Sequence, residues 1–504
     1  MLQPASTAHT PAPPHDLRGR TRTRPGATLA VTAAATTVAL MNYTAPMLTL
    51  PDMAAAFGTP ASARAWLLNG TPLGLAVLLL VAGSLADAHG RRRVFLLGTL
   101  ALGLTTALGA FAGSTATFTA ARIAQGAASA AVLAGSLGLL AQAYPAGRDR
   151  IRATGIWGAS VSAGIALGPL LAGALSLVDW RLTYEVLGAA ALVTAGAGAR
   201  LLPTDRAARL LPTDRAARLL PTDRAARLLP TDRAAERTGR SGTRPDIAGA
   251  TALGLALAAL LTALTLGRDG WLRPQVGLLL LASLALTALF VLVEHRSRTP
   301  MVDLALLRRP AFLASTLGAL FTGLAVIGLF SVVPALLQGG GAGSGAGAGM
   351  SPLGAAWLFV LWSGTAFVVA LQARRLAGRL SAPYQLALGF VLSAAGVLAL
   401  LGGLEGPAGS WPRLLPGLLV AGAGSGLLNA ALPRLAVDSV PPERAAMGSG
   451  ANNTARYIGS SAGVALMLAL ATAGTGPDTA VLVSAALALT GAGLTLALGR
   501  RQRR

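Results

Sequence analysis

Fourteen stretches of mostly apolar residues, each close to the length of a bilayer-crossing helix, recur along this 504-residue chain. An α-helix rises about 1.5 Å per residue, so about 20 such residues match the hydrocarbon thickness of a bilayer. Inside lipid the backbone must satisfy its own hydrogen bonds, and runs of this length do so as helices. The stretches fall near 27–50, 65–86, 94–113, 117–142, 153–177, 182–200, 247–267, 274–293, 311–337, 352–372, 382–403, 413–433, 446–473 and 479–499. Composition agrees, with 53% hydrophobic and only 12% charged residues against about 25% charged in soluble domains. Disorder is excluded by the same numbers. An all-α polytopic membrane protein is the expected fold class.

Charge placement sets the orientation. All 41 basic residues are arginine, against 19 acidic ones, for a net charge of +22. The arginines cluster between apolar runs and build no basic face on a soluble module, so no nucleic-acid partner is expected. With both termini and every second loop on one side, 34 arginines collect there, five fall on the other side, and Arg122 and Arg456 lie within spans. The positive-inside rule makes the rich side cytoplasmic. One missed or extra helix would invert every later loop and scramble that asymmetry. The first span follows Arg18, Arg20, Arg22 and Arg24 but is too long for a signal core and leads straight into further spans, so it reads as an uncleaved helix. A multi-pass protein of a bacterial cytoplasmic membrane is expected, monomeric, with the lipid bilayer as its surroundings.

Two low-complexity segments read as linkers. LLPTDRAAR occurs three times from Leu201, Leu210 and Leu219, then LLPTDRAAE from Leu228. The proline in each unit stops long helices, so a solvated loop is expected. Gly339–Gly349 superficially suggests a phosphate cradle but lacks the Lys-Ser/Thr ending, and reads as an external linker. With no cysteine and four dispersed histidines there is no disulfide, thiolate or metal-ligand pattern. No cofactor and no metal are expected.

The motifs narrow the class. GSLADAHGRRR (Gly83–Arg93) resembles the signature loop of the major facilitator superfamily at Gly83, Leu85, Asp87, Gly90 and Arg91. Gly83 is expected to allow close helix approach, with Asp87 and the arginines as a charged latch at the cytoplasmic face. RIAQG (Arg122–Gly126) resembles the family's fourth-helix motif. An arginine inside hydrocarbon is expensive and normally faces a polar interior, and the resemblance implies a part in proton coupling, with interfacial snorkelling as the alternative. Gly155, Gly164, Gly168, Pro169 and Gly173 are similar to the antiporter motif, with Ala172 replacing one glycine of its final pair; small residues at this spacing permit tight packing. MVDLALLRRPAF (Met301–Phe312) and GSGANNTARYIGSSAGVAL (Gly448–Leu466) resemble the 14-span drug:proton antiporters of the EmrB/QacA type.

That resemblance implies a tail (1–26), a six-helix bundle (27–200), a cytoplasmic loop (201–246), two inserted helices (247–293), a second loop (294–310), a second six-helix bundle (311–499) and a tail (500–504), rocking about a central site. It implies proton-driven export of a small hydrophobic or amphipathic drug, with protons moving inward. An exporter of a specific metabolite, lipid or siderophore is the alternative. An enzyme is not expected, because the spans lack a histidine or cysteine cluster and paired carboxylates.

One departure matters. Where many relatives carry an aspartate in the first span, MNYTAPMLTLP (Met41–Pro51) places Asn42, with Thr44 retained. An amide cannot exchange a proton, so coupling is expected to fall to another acid. Glu185 reads as the one carboxylate within a span, either a proton carrier or a partner of Arg181. Asp52 sits just beyond the first span. Candidate cavity residues are Asn42, Thr44, Trp66, Gln125, Trp157, Asn452, Asn453 and Arg456, and Trp357 and Trp362 share the same possibility. Interfacial belting or packing is the competing role for the tryptophans.

Overall fold

The computed structural model describes residues 25–144, 148–203, 247–267, 270–297, 304–339, 349–377, 380–404, 408–440, 445–472 and 476–501. Among the described residues there is no strand, and the helices group into fourteen rods. The first rod is α1 (Pro25–Thr44) followed by α2 (Pro46–Ala56), broken where Pro46 enters without a backbone N–H. Five more follow: α3 (Arg64–His89), α4 (Arg91–Ala110), α5 (Thr115–Ala143), α6 (Arg148–Leu175) and α7 (Arg181–Leu201). Then come α8 (Ile247–Gly267) and α9 (Pro274–Arg296). The last six are α10 (Pro310–Leu337), α11 (Pro352–Ala377), α12 (Ala382–Leu398), α13 (Leu414–Asp438), α14 (Ala445–Thr472) and α15 (Pro477–Arg501).

Eleven of these rods, α4 to α11 and α13 to α15, are long and apolar enough to cross a membrane. The first rod, α3 and the shorter α12 pack into the same body. The repeat loop, apart from residues 201–203, and residues 340–348 of the glycine-rich segment lie outside the described residues, as do residues 1–24 and 502–504.

Within the first six rods α3 packs on α5, α4 on α5 and α7, and α1 on α6; within the last six, α13 packs on α11 and α12, and α10 on α14 and α15. The halves meet along two seams, α3 against α14 and α6 against α11. The inserted pair flanks the first seam. Helix α8 lies against both α3 and α14, and α9 packs on α8 with most of its surface outward, including Leu278, Leu281 and Leu284.

We call the face where α1 begins proximal and the opposite face distal. At the distal face the halves are closed. Gln338 Nε2 donates to the Leu48 carbonyl at 3.1 Å, and α2 packs on Val333–Leu337 and on α11. A Cβ at Gly173 would lie 2.8 Å from the Pro352 carbonyl oxygen, so α6 and α11 touch backbone to backbone there. Toward the proximal face the picture reverses: a Cβ at Gly83 or Gly155 would meet nothing within 4 Å. Among the described residues, the close approach expected of Gly83 is therefore not made in this conformation.

Midway along α10 the helix widens into a π-helical turn over Thr322–Ile327. Such turns collect at functional sites, and this one borders the cavity described next.

Candidate functional site

Arg122 anchors a polar network in the first half. Its side chain is fully buried, held on α5 where the bare Gly70 of α3 faces it. Nη1 donates to the Asn42 carbonyl at 2.7 Å and to Gln125 Oε1 at 2.6 Å, and Nη2 donates to the Tyr43 carbonyl at 3.4 Å. Gln125 sits one helical turn away, so its amide reaches the guanidinium and its Nε2 donates to the Thr105 carbonyl at 3.2 Å. Asn42 Nδ2 donates to Thr106 Oγ1 at 2.9 Å, and the Thr106 hydroxyl donates to the Leu102 carbonyl at 2.6 Å. The network thus ties α1, α4 and α5 together around a cation that meets neutral oxygens. Snorkelling to the interface, the competing reading for Arg122, does not occur.

Tyr43 carries this network across to the second half. Its hydroxyl bonds Ser460 Oγ at 2.9 Å and its ring packs edge-on to Tyr457, centroids 5.9 Å apart. The Arg456 guanidinium lies over the same Tyr457 ring at 5.4 Å, and its Nη2 donates to Asn453 Oδ1 at 3.0 Å.

Beyond Tyr43 lies a cavity at mid-depth, between α1 and α6 on one side and α10, α11, α13 and α14 on the other, with an empty volume of about 860 Å³ that includes its open mouth. Its distal end is formed by Met47, Phe330, Phe359 and Trp362. Phe330 and Trp362 stack with centroids 4.3 Å apart and planes 10° apart, and Phe359 meets Trp362 edge-on at 5.2 Å. Toward the proximal face the lining continues through Ala370 and Asn429, and Asn429 is exposed. The cavity is therefore sealed distally and open proximally.

Of the residues singled out in the sequence, Thr44, Trp362 and Arg456 line this cavity. Asn42 and Gln125 belong to the Arg122 network one layer behind it. Asn452 is structural: its Nδ2 donates to the Ser315 carbonyl and hydroxyl at 3.0 and 2.9 Å, joining α14 to α10. Asn453 stands behind the cavity as the partner of Arg456. Trp157 clamps α6 to α1 and α5, its Nε1 shared by Thr36 Oγ1 and Ser136 Oγ at 3.0 Å each. Trp66 packs against the apolar core and Trp357 is exposed. Neither borders the cavity.

Glu185 is exposed on α7, away from Arg122 and the cavity. Arg181 does not turn to it: its guanidinium lies over the Trp180 ring at 4.6 Å. Nor is it the one acid in a span, because Glu294, near the proximal end of α9, is only 2% exposed. Proximity to the helix end and to Arg296 hid that carboxylate in the sequence. Asp52 is half-buried on α2.

The motif residues divide by role. Gly90 links α3 to α4 with φ +100, a left-handed conformation that favours glycine. Arg91 Nη1 donates to the Gly138 carbonyl at 3.0 Å, and Arg92 donates to the carbonyls of Ala199 and Leu202 at 2.7 and 3.2 Å, satisfying the C-terminus of α7. The latch arginines therefore hold their own half together. The Asp87 side chain lies outside the described residues. In the antiporter motif, Gly164 faces the Thr37 carbonyl and Leu40, Gly168 faces Thr44 and Met41, and Pro169 is buried. Gly155 lies in open space.

Sequence reasoning missed Tyr43, Tyr457, Phe330 and Asn429. A signal for the α11 wall was present: Phe359, Trp362, Ser363, Ala366, Phe367 and Ala370 recur at intervals of three and four, marking one helical face.

Comparison with known proteins agrees with this architecture. The sequence pattern of the Major Facilitator Superfamily matches residues 32–464. The puromycin resistance protein pur8 of Streptomyces alboniger is 31% identical over 453 residues, covering 89% of this chain and 82% of that protein. The probable actinorhodin transporter of Streptomyces coelicolor is 30% identical over 461 residues, covering 88% and 71%. The multidrug resistance protein Stp of Mycobacterium tuberculosis is 29% identical over 422 residues, covering 83% and 70%. Helices long enough to span a bilayer, two six-rod halves about a central cavity and this extent of similarity together make the chain a multi-pass membrane protein belonging to the Major Facilitator Superfamily.

Proposed function

We propose that this chain is a secondary carrier exporting an amphipathic drug or antibiotic across the bacterial cytoplasmic membrane by alternating access, with the proximal face in the cytoplasm. The observation that carries this reading is the mid-depth cavity, sealed distally and open toward the face that holds the arginine excess. Its wall is aromatic and apolar with a few hydroxyls, which suits amphipathic ligands. The relatives named for resistance to or transport of puromycin, actinorhodin and multiple drugs support export as the direction. Pores and pumps driven by nucleotide would need features absent from the sequence, and inward proton flow is the energy source in our reading: about 2.3 kcal/mol per charge per 100 mV, besides any pH gradient. Asn42 leaves no titrating group at its own position, so proton exchange there is not part of this proposal.

The test is expression in a drug-sensitive bacterial host against a panel that includes puromycin, with and without a protonophore. The expected result is raised resistance and lowered accumulation of at least one compound, both abolished by the protonophore. Accumulation unchanged across the panel would overturn the assignment as a drug exporter. Resistance that survives the protonophore would overturn the coupling.

A further inference from the structure

The cavity has a chemical bias that its overall apolarity conceals. Among the described residues no aspartate or glutamate lines it, and the one ionic group in its wall is the Arg456 guanidinium. A cation-exporting pocket would ordinarily present a carboxylate or an open aromatic cage to its ligand. Here some of the aromatic faces are already occupied: Phe330 and Trp362 stack on each other, and Tyr457 carries Arg456.

Two of the polar atoms left over in the wall can only donate, and the third, a hydroxyl, can donate as well as accept. Arg456 Nε is buried with no hydrogen-bond partner, and only its Nη2 is engaged, by the neutral Asn453 amide. The Trp362 indole N–H is likewise buried and unpartnered, in a side chain 8% exposed. An indole N–H can only donate, and a guanidinium can only donate. The Ser425 hydroxyl, 4% exposed, has no partner either. Unsatisfied buried donors are expensive, and a ligand that supplies acceptors recovers that cost. A carboxylate or phenolate does so with charge assistance from Arg456.

The approach route favours the same sign. The cavity opens to the face that gathers 34 of the 41 arginines. A mouth of one charge raises the local concentration of oppositely charged solutes. Arg122, the other cation within the spans, also has an unpartnered Nε, but it is fully buried and does not line the cavity, so it does not compete for the ligand.

From these observations we infer that the cavity selects amphipathic aromatic anions, with Arg456 as the specificity-determining residue that receives a carboxylate or phenolate. The inference rests on the export reading and names its substrate class. It also adds to the driving force of inward proton flow, because an anion leaving a negative interior moves down the membrane potential.

Two xanthene dyes of similar size test it: fluorescein, an anion at neutral pH, and rhodamine 6G, a cation. Binding to the purified full-length protein in detergent is read by quenching of tryptophan fluorescence. Fluorescein is expected to bind roughly tenfold or more tightly than rhodamine 6G. Arg456→Gln is expected to weaken fluorescein about 10- to 100-fold, the size of a lost charge-assisted bond, while leaving rhodamine 6G unchanged or improved. Arg456→Lys retains the charge and should keep the preference, which guards against a glutamine variant that fails to fold. Equal affinity of the two dyes for the wild type, or a ratio unmoved by Arg456→Gln, overturns the inference.

Efflux from cells separates the two levels. Cells are loaded with fluorescein diacetate or with rhodamine 6G. Export of fluorescein supports both readings. Export of rhodamine 6G alone sustains the exporter and defeats the anion site, whereas export of neither, in cells that also show no drug resistance, defeats both.

Discussion

Arg122→Met isolates what the buried cation does. Methionine matches the length of the aliphatic stem but brings no charge and no donor. The structure assigns Arg122 two short bonds, at 2.7 Å to the Asn42 carbonyl and 2.6 Å to Gln125 Oε1. Hydrogen bonds to a charged group contribute about 1.5–3 kcal/mol each, so about 3–6 kcal/mol is lost with them. Against that, keeping a guanidinium out of water costs several kcal/mol after relaxation, and methionine removes this cost. The two terms nearly cancel. The variant is expected to melt within about 5 °C of the wild type, as followed by intrinsic fluorescence in detergent. Transport should behave differently, because the arginine fixes the Asn42 and Tyr43 carbonyls on either side of the chain that reaches Ser460 and Tyr457. Losing that tie is expected to lower efflux at least about tenfold, equivalent to roughly 1.4 kcal/mol. Wild-type efflux from Arg122→Met would refute a functional role. A drop in melting temperature beyond about 10 °C would refute the cancellation and make Arg122 a net stabiliser.

Three further expectations follow from the same geometry. Gly168→Ala places a methyl group against the Thr44 side chain and Met41 backbone, which should cost about 1–3 kcal/mol by overpacking; Gly155→Ala, in open space, should leave the melting temperature unchanged, and equal effects would show that the α1–α6 contact is misplaced. Asn42→Asp sets a carboxylate where Oδ1 now lies 3.5 Å from Arg122 Nη1 and opposite a Thr106 hydroxyl already donating elsewhere. It should give efflux a new dependence on pH, seen as a changed slope between pH 5.5 and 8 (a range of about 2.5 pH units spanning the usual shifted carboxylates), and identical profiles would count against it. Glu185→Gln, on an exposed face, should leave protonophore-sensitive efflux intact, and loss of efflux would return Glu185 to the mechanism.

How much of this was legible beforehand depended on the physics involved. Span positions followed from hydropathy and arginine placement because the bilayer imposes one length and one charge asymmetry on every crossing. Arg122 and Gln125 stand out in the sequence separately, one for coupling and one for the cavity, and only the structure pairs them. Asn452 and Trp157 misled, since a polar group in a span looks alike whether it faces a ligand or another helix. What decides is rotation about the helix axis, and that is set by packing partners remote in sequence, as Ser315 is for Asn452. Residues 27–50 read as one span although Pro46 marks the break, and the π-helical turn at Thr322–Ile327 has no comparable residue to mark it. The register against Gly459 and Gly463 accompanies it and emerges only once α10 meets α14.

The bare backbone at Gly83 and Gly155 has one more implication. A hydrogen in place of a side chain is useful where two main chains meet, yet these two positions meet nothing among the described residues while Gly173 is pressed against Pro352. In the alternating-access reading proposed above, Gly173 is a filled docking socket and Gly83 and Gly155 are two vacant ones: what Gly173 releases in the rocking stroke, the other two would receive. Because the chain has no native cysteine, thiols introduced opposite each socket would trap either extreme of that stroke on a clean background.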